Sequence, residues 1–495
     1  MTTIHILPDW HENEQAMPQG NDSIHQAQLF QSQGCDVNLL LVDYLTRLRS
    51  MFHTKNLDHV TYWSLYDDIQ EVGLTDTRVV ALQDFSWPET VYFVEMPDQI
   101  VAMQDDKLFA KIQLDGDNLG QIVAIIFYEN DHQKTCLDID DRGFVSRTTY
   151  FVNGEKTAVD YLTPSGEVAM HVSLPDQVVT TKETWFGAKK FANTTVLFQA
   201  ILKQKISKIS DEAPLIVTQT DVINQFLLEN DIQHDIIYSA QERRETSKMT
   251  LPQCVKAVVT DNVSTTMVNQ HYIPTFATIL SEGKSQETAN LDYYWVADQT
   301  IAQQLAVVSQ FITILRDNEH ARVIVDTPVA LSQAVTNLIE TSDQSTDIDD
   351  ELLDNNGLSD ELKMAGNQPA TIKTVAERFI INIAPTEEKQ QRAIEKVRVL
   401  VDLNTQPNAY LQTLALSALI PQINAVKTPF VLANQNGFII DDVNELSAKI
   451  QFYQHNINDW AFAKNEAFKH SENYYDTVLW SKWQRVFDQV KPLGE

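Results

Sequence analysis

The sequence predicts an α/β protein with two Rossmann-like domains, the first of which is interrupted by an inserted antiparallel β-sheet. Strand and helix patterns alternate at the start of the chain and again over residues 397–440. The region that begins near residue 87 instead shows short strand patterns separated by turns. We therefore assign residues 1–86 and 190–271 to the first Rossmann-like domain and 87–189 to the inserted sheet. Residues 272–495 form the predicted second Rossmann-like domain with C-terminal helices.

The N-terminal segment predicts the opening of the first Rossmann-like domain. The apolar run Thr3–Leu7 is typical of a buried strand, the polar stretch Pro8–Gly20 of a loop, and the spacing from Ile24 to Phe30 of a helix. A second buried strand is predicted at Val37–Val42. Nucleotide-binding versions of this unit carry closely spaced glycines after the first strand, where the backbone approaches a phosphate. Because Gly20 is the only glycine in this loop, the dinucleotide fingerprint is absent.

Glycine-containing turns divide the inserted region into strands. The pairs Arg142-Gly143, Asn153-Gly154 and Ser165-Gly166 follow one another after 11 and 12 residues, which is typical of an antiparallel meander. The segments Phe144–Phe151 and Gly166–Val172 border these turns and are predicted as strands. Because a meander has no crossover helices, we expect this sheet to be a separate structural unit.

Alternating patterns return in the second half of the chain and predict the second Rossmann-like domain. The predicted elements are the strands Tyr293–Val296, Arg322–Val325, Phe379–Ile383, Val397–Leu403 and Gln422–Val426, and the helices Ile301–Leu315 and Tyr410–Leu419. Asn436-Gly437 has the composition of a tight turn. Leu446–Val490 has helical spacing, and we interpret its aromatic residues as core.

The charge of the chain limits its partners. With 37 Lys and Arg against 68 Asp and Glu in 495 residues, the net charge is −31 at pH 7. Such a surface repels phosphate backbones and anionic lipids, which argues against nucleic acid and against a polybasic membrane anchor. Cys35, Cys136 and Cys254 are far apart, as expected in a reducing compartment. Since Met1–Trp10 is no leader peptide and no apolar run could span a bilayer, we expect a cytoplasmic protein.

An ordered series of segments resembles one protein family. The segments are Leu7-Pro8-Asp9-Trp10, Tyr62–Gln70, Phe85–Pro88, Asp140–Ser146, Tyr150-Phe151, Asp160–Leu162, the block from Val397 to Ile440, Phe452-Tyr453 and Asn458–Trp460. In this order they are similar to the first of the accessory secretory proteins of the accessory Sec system, accessory secretory protein one. No single segment is specific, but the ordered series is.

The resemblance implies a fold and a function. Members of this family are similar to GT-B glycosyltransferases with an extra β-sheet domain. The family implies a non-catalytic component of the accessory Sec pathway, which exports serine-rich repeat glycoproteins. It further implies a complex with the second and third accessory secretory proteins, which recognises the glycosylated substrate and delivers it to the accessory Sec ATPase. The protein would then reach the membrane only through the export machinery.

Residues that sugar-nucleotide chemistry requires are missing. Besides the glycine-rich loop, the chain lacks the Arg–Lys pair that stabilises a departing diphosphate, because no Lys or Arg occurs between Lys284 and Arg316. It also lacks the acid that holds the donor ribose, because no acid occurs between Asp402 and Asp441. We therefore expect no catalytic residue and no cofactor. Two alternatives stay open: an active nucleotide-sugar-dependent glycosyltransferase, and a chaperone subunit of such an enzyme.

Five residues are candidates for glycan binding. Aromatic faces and planar amides bind neutral sugars without positive charge, and loops at the carboxyl ends of parallel strands are the usual ligand sites. These criteria select Trp10, Asn404, Gln406, Gln422 and Asn436. The alternative is ordinary turn chemistry at exposed positions. As loop residues, Trp10 and Asn436 should tolerate alanine with little effect on folding.

Three other groups are interpreted as structural. His11 with Glu12 and Glu14 is the nearest approach to a metal or catalytic site, and we interpret it as a solvated loop histidine. The run Asp140–Gly143 could be a carboxylate pair, but a hairpin turn with an Arg–Asp ion pair suits Gly143 better. The acidic stretch Thr341–Glu361 lacks the ligand spacing of a calcium loop. We therefore expect no metal site.

Overall fold

A computed structural model describes residues 3–11, 21–73, 78–115, 120–241, 250–261, 269–280, 284, 291–350 and 374–490, without the side chains of 343–350. The chain divides into two compact units. Unit 1 comprises Met1–Tyr272 and Trp483–Glu495, and unit 2 comprises Ile273–Lys482. In the described part of the chain, no helix combines the length and the apolar composition needed to cross a membrane.

Unit 1 contains two sheets. Its strands are, in chain order, β1 (Thr3–Leu7), β2 (Asp36–Leu41), β3 (Thr61–Ser64), β4 (Val91–Glu95), β5 (Gln99–Gln104), β6 (Lys107–Leu114), β7 (Ile122–Glu129), β8 (His132–Asp140), β9 (Phe144–Val152), β10 (Glu155–Leu162), β11 (Val168–Ser173), β12 (Val179–Trp185), β13 (Ala188–Phe191), β14 (Leu215–Thr218), β15 (Ile236–Ala240), β16 (Val255–Thr260) and β17 (Gln270–Tyr272). Its helices are α1 (Asp22–Ser32), α2 (Leu48–Thr54), α3 (Leu65–Gln70), α4 (Thr194–Ile206) and α5 (Asp221–Glu229).

The first sheet of unit 1 is parallel and has the Rossmann strand order. Its seven strands run β17-β16-β15-β14-β1-β2-β3, so the chain starts in the middle, moves to one edge and returns to fill the other side. The predicted strand Thr3–Leu7 occurs with the same bounds. The predicted helix from Ile24 lies inside α1, which begins two residues earlier because Asn21 caps it by accepting from the Ser23 amide.

The second sheet of unit 1 is the predicted antiparallel insertion. Its ten strands, β4 to β13, lie in sequential order and each pairs with its neighbours in the chain. The turn between β8 and β9 requires glycine, because Gly143 has φ +96° and an added Cβ would lie 2.0 Å from the Arg78 carbonyl oxygen. In sequence, this sheet is inserted between β3 and β14 of the parallel sheet, so it forms part of the Rossmann crossover connection.

One hydrophobic core joins the two sheets of unit 1. Ala169 and Met170 of β11 are buried in the same cluster as Ile69 of α3 and Leu197 of α4. Gln70 of α3 adds two hydrogen bonds, from its Nε2 to the carbonyl oxygens of Ser146 and Leu162, at 2.8 and 2.7 Å. Helices α3 and α4 therefore hold the insertion against the parallel sheet.

Unit 2 contains one parallel sheet and most of the C-terminal helices. Its strands are β18 (Leu291–Val296), β19 (Ala321–Thr327), β20 (Phe379–Ile383), β21 (Val399–Asp402), β22 (Gln422–Asn424) and β23 (Gly437–Ile439). Its helices are α6 (Ile301–Asp317), α7 (Val329–Asp350), α8 (Glu387–Ile394), α9 (Ala409–Ser417), α10 (Leu446–His455), α11 (Ile457–Ser471) and α12 (Asp476–Val490), of which α12 ends in unit 1.

The six strands of unit 2 repeat the Rossmann order. They run β20-β19-β18-β21-β22-β23, and every neighbouring pair is parallel. Their buried residues, such as Trp295 and Val401, form one core with α6, α10 and α11. Trp460 of α11 belongs to this core, as predicted, whereas Phe462 is exposed. The two parallel sheets and the antiparallel insertion confirm the predicted fold class.

The turn predicted at Asn436-Gly437 is misplaced. Asn434, two residues earlier, carries the positive φ of 60°, and Gly437 already begins β23. Since β23 is parallel to β22, a tight hairpin turn cannot join them. A glycine is required at position 437 for another reason, because an added Cβ would lie 2.2 Å from the Gln422 carbonyl oxygen. Close strand packing therefore requires this glycine.

Candidate functional site

The strand order of each parallel sheet fixes where a ligand would bind. In Rossmann-like sheets the ligand site lies at the carboxyl ends of the strands, at the point where the strand order reverses. In unit 1 this switch point lies between β1 and β14, and in unit 2 it lies between β18 and β21. A ligand site of the Rossmann type should therefore lie at one of these two places.

Trp10 lies in the loop after β1, and its side chain is buried. Its side chain is 3% exposed, and its ring meets Phe52 edge to face with the centroids 6.4 Å apart. The indole Nε1 donates to Ser23 Oγ, in the first turn of α1, at 2.9 Å. Trp10 lies in a loop, as predicted, but its ring is buried, because a Trp whose N–H finds a partner next to an apolar neighbour is most stable buried.

A carboxylate of the chain itself, Asp22, lies at the N-terminus of α1. Nucleotide-binding Rossmann domains place a phosphate at this helix end, where free amides and the helix dipole attract negative charge. Here the side chain of Asp22 is buried in the first turn and accepts from Ser239 Oγ of β15 at 2.5 Å. Gln26 Nε2 donates to the same Ser239 oxygen at 2.8 Å. A buried carboxylate at this place disfavours phosphate. Sequence reasoning missed Asp22, although Asn21-Asp22-Ser23 is a recognisable capping segment.

His11 lies at the rim of the same switch point between two carboxylates. Its Nδ1 is 2.5 Å from Asp43 Oδ2, and its Nε2 is 3.0 Å from Asp9 Oδ1. Hydrogen bonds to Asp43 and then Asp9 raise the pKa of His11 to about 10, so the imidazole is charged at neutral pH. The suggested partners Glu12 and Glu14 lie outside the described residues. A charged histidine in an ion-pair triad is neither a free general base nor a neutral metal ligand.

Metal binding finds no support elsewhere. Among the described residues, no group of three or more His, Cys, Asp or Glu side chains is placed to hold a metal ion. The acidic stretch Thr341–Glu361 lies largely outside the described side chains.

In unit 2 a buried acid and its amide neighbours occupy the switch point. Asp402, the last residue of β21, is fully buried. Its Oδ1 accepts from Asn404 Nδ2 at 2.8 Å, and its Oδ2 accepts from the Asn408 amide at 2.6 Å and Gln412 Nε2 at 3.4 Å. Asn404 Nδ2 also donates to the Val296 carbonyl oxygen of β18 at 3.2 Å. Asn404 therefore ties the two switch-point strands together.

Three further glycan candidates differ in exposure. Gln422 is fully buried within β22, not in a loop, and its Nε2 donates to the Gln412 carbonyl oxygen at 3.0 Å. Asn436 is also fully buried: its Oδ1 accepts from the Leu432 amide at 2.7 Å and its Nδ2 donates to the Phe430 carbonyl oxygen at 2.9 Å. Gln406, in the loop after β21, is exposed. The predicted loop positions are confirmed for Trp10, Asn404, Gln406 and Asn436 and wrong for Gln422, and of the five candidates Gln406 alone is exposed.

Several buried acceptors at this switch point and at the start of the neighbouring strand β22 have no donor among the described residues. They are Gln304 Oε1, Asn404 Oδ1, Gln412 Oε1 and Gln422 Oε1. The amide orientation is fixed in each case, because the nitrogen donates to a carbonyl or carboxylate oxygen, as Gln304 Nε2 does to the Gln299 carbonyl at 2.9 Å. Such oxygens accept from water or from N–H and O–H groups, and they disfavour phosphate oxygens.

The charges of unit 2 at this edge are also wrong for a diphosphate. The segments that follow β18, β19 and β21 up to the next helix contain no Lys or Arg. They and the strand ends instead contribute Asp298, Asp326 and Asp402. Asp326 accepts from Tyr294 Oη at 2.8 Å and Gln390 Nε2 at 2.7 Å, and burial raises its pKa. A leaving diphosphate would meet carboxylates here and no cation.

The acidic turn of the inserted sheet is structural, as interpreted from the sequence. Arg142 donates to both oxygens of Asp67 in α3 at 2.7 and 2.9 Å, and to both oxygens of Asp140 at 2.7 and 2.8 Å. All three side chains are largely buried. This bidentate network fixes the turn to α3, so the two acids are not available as a catalytic pair.

Comparison with known proteins places this arrangement in context. The chain matches the family model for the first accessory secretory protein of the accessory Sec system over residues 5–489. The protein of that name from Streptococcus gordonii is 25% identical over 512 residues, covering 97% of this chain and 95% of that protein. A chain in the crystal structure of accessory secretory proteins 1, 2 and 3 of Streptococcus pneumoniae superposes with a TM-score of 0.77, at 21% identity, covering 98% of this chain and 99% of that one.

A glycosyltransferase is similar as well. The pneumococcal O-GlcNAc transferase GtfA, in complex with UDP and GlcNAc, superposes with a TM-score of 0.71, at 12% identity, and each chain is covered to 99%. This likeness confirms the GT-B-like fold and, at such low identity, is evidence for the fold alone.

Proposed function

The chain belongs to the family of the first accessory secretory protein and so serves the accessory Sec pathway, in which we propose that it acts without catalysing sugar transfer. In this proposal, a glycosyltransferase scaffold is retained for recognition and assembly. The substrate is a serine-rich repeat glycoprotein, which the chain recognises and helps to deliver to the accessory Sec ATPase. The second and third accessory secretory proteins are its partners, which the pneumococcal structure of proteins 1, 2 and 3 supports.

The observation that carries the non-catalytic proposal is the filling of both switch points. Trp10 and Asp22 occupy the place of a phosphate in unit 1, and Asp402 with its amides occupies the corresponding place in unit 2. Both fillings put carboxylates where a nucleotide diphosphate requires cations or free amides. The likeness to GtfA favours the alternative of an active transferase, but the groups that would bind a donor are absent from these segments.

Donor binding and turnover test this proposal. Purified chain is titrated with UDP-GlcNAc and other UDP- and GDP-sugars by calorimetry, and donor hydrolysis and transfer are measured with GtfA as the positive control. We expect neither heat of binding nor turnover. Donor turnover by the wild-type chain would contradict the proposal and favour the transferase alternative. A stable complex with a catalytic glycosyltransferase, in place of the export partners, would favour the chaperone alternative.

Glycan recognition by the five candidate residues is part of the proposal. Because Trp10, Asn404, Gln422 and Asn436 are buried, Gln406 is the residue at which recognition can be tested without disturbing the fold. We expect Gln406→Ala to weaken binding of the glycosylated substrate by roughly 1–2 kcal/mol, the value of one well-made hydrogen bond. Thr405→Ala, at the neighbouring exposed position, is the matched control. Equal binding by the wild type and both variants would move recognition away from this loop.

A further inference from the structure

Strand β4 is an exposed edge of the inserted sheet. It lies at one end of the ten-stranded order and pairs with β5 in an uninterrupted register from Val91 to Glu95. Its side chains are apolar or aromatic except Glu95, and three of them are accessible: Tyr92 is 47% exposed, Phe93 38% and Val94 41%. Exposed apolar edge strands are templates for pairing with another chain, and natural proteins normally protect them.

On its outer side, the backbone of β4 has hydrogen-bonding groups that pair with no strand in the described part of the chain. The Met96 amide donates to the Gln99 carbonyl oxygen at 2.9 Å, which closes the hairpin between β4 and β5. In an antiparallel pair the backbone groups of successive residues alternate between the partner strand and the outside. Starting from Met96, this alternation directs Tyr92 and Val94 toward β5 and directs the N–H and C=O of Phe93 and Glu95 outward.

The opposite edge of the same sheet is protected. Strand β13 has four residues, two of which are Lys189 and Lys190, and its pairing with β12 shows a register shift. Short length, lysines and irregular pairing are all devices that prevent edge-to-edge association. Strand β4 contains no lysine, no proline and no register shift. The two ends of one sheet therefore differ in the protection that matters for pairing.

We propose that β4 is an assembly edge that pairs with an extended segment of the second or third accessory secretory protein, adding a strand to the sheet. This inference rests on the proposed function. Residues 88–98 carry Glu89, Glu95 and Asp98 and no Lys or Arg, so the incoming segment should combine alternating apolar residues with basic ends. A second copy of this chain is a poor match, because it would bring the same three carboxylates and a net charge of −31 to the interface.

Two substitutions at one position separate backbone pairing from side-chain loss. Phe93→Pro removes an outward N–H and leaves the β4–β5 hydrogen bonds in place, because proline is tolerated on an edge strand when its nitrogen faces outward. Phe93→Thr removes the same aromatic ring but keeps the N–H. Both variants are first compared with the wild type by urea denaturation, which checks that the sheet is intact.

The test measures assembly of the full chain with the recombinant second and third accessory secretory proteins. We expect the wild type and Phe93→Thr to bind within about threefold of each other and Phe93→Pro to bind at least about tenfold more weakly. Hydrogen exchange at the Phe93 and Glu95 amides should slow in the complex. No complex with the wild type would overturn the proposed function itself.

Other outcomes concern the edge alone. A complex that forms equally well with Phe93→Pro, or that leaves exchange at Phe93 and Glu95 unchanged, would overturn the inference about β4 and leave the proposed partnership intact. Slowed exchange at the same amides in the chain alone, increasing with its concentration, would assign the edge to a second copy and overturn the inference as well.

Discussion

The two switch points have the same strand order but are filled by different chemistry. In unit 1 the place of a ligand is taken by the Trp10 ring and by one buried carboxylate, Asp22, with the charged His11 triad at the rim. In unit 2 it is taken by hydrogen-bonding groups around Asp402, including acceptors without a donor among the described residues. The stability that the Trp10 ring and the exposed His11 ion pairs contribute depends weakly on any single polar contact. The buried Asp402, by contrast, is stable only while all of its hydrogen-bond donors are in place. Substitutions in the two units should therefore differ in cost.

Asp402→Ala should give the largest loss of stability. The change removes the acceptor of Gln412 Nε2 and of the Asn408 N–H, and one of the two acceptors of Asn404 Nδ2. Since each buried donor left without an acceptor costs about 1–3 kcal/mol, we expect a loss of about 3–5 kcal/mol in total. Urea denaturation followed by tryptophan fluorescence measures the free energy of unfolding. Asp441→Ala removes an exposed acid and is the control, with an expected change within about 0.5 kcal/mol. Equal effects of the two substitutions would show that the amide network is not what stabilises this edge.

Trp10→Ala should give the next largest loss, about 3 kcal/mol, which reverses the expectation from the sequence. The substitution opens a cavity beside Phe52 and removes the bond to Ser23 Oγ. Trp10→Phe keeps most of the apolar bulk and isolates the hydrogen bond, so it should cost about 1 kcal/mol. If both variants lost the same amount, the indole N–H rather than the ring would dominate, and unit 1 would resemble unit 2.

The fold could be predicted from the sequence because it depends on patterns that the chain displays locally. Parallel strands such as Thr3–Leu7 and Phe379–Ile383 are mainly apolar runs, and they occur with the predicted bounds. The antiparallel insertion is marked by turns with glycine at fixed spacing, of which Gly143 is required by its φ. The domain boundaries themselves stay an interpretation.

The site was predicted less well because burial of polar side chains is a tertiary property. Asn404 and Asn436 have the composition of exposed turns, yet both are internal caps for backbone groups of neighbouring segments. The missing donor-binding residues, by contrast, could be recognised from the sequence alone, since no Lys or Arg occurs between Lys284 and Arg316. What replaces the missing groups, Asp22 and Asp402 with their partners, became visible only once the strands were placed side by side.

Gln422→Met should change stability little, although Gln422 is fully buried and bonds to Gln412, which itself donates to Asp402. The substitution removes Oε1, which has no donor among the described residues, and a side-chain bond to the Gln412 carbonyl, which lies within α9. Losing an unsatisfied acceptor offsets losing the donor, and Met fills a similar volume, so we expect a change within about 1 kcal/mol. A loss as large as that of Asp402→Ala would mean that a water or ligand satisfies Oε1 and that this site is occupied.

The smallest change in stability should come from substitution of His11, and it should depend on pH. Asp43 and Asp9 raise the pKa of His11 to about 10 in the folded chain, against 6.5 for an ordinary histidine. A raised pKa means that folding favours the protonated form, so the stabilisation is complete below pH 6.5 and is lost as the pH rises toward 10. Its size should stay under about 1 kcal/mol, because the His11 side chain is 56% exposed. The free energy of unfolding of the wild type and of His11→Gln, measured from pH 6 to 10, should converge at the alkaline end. A difference that is constant over this range would show that His11 acts through packing rather than charge, and that the rim of unit 1 is no ion-pair triad.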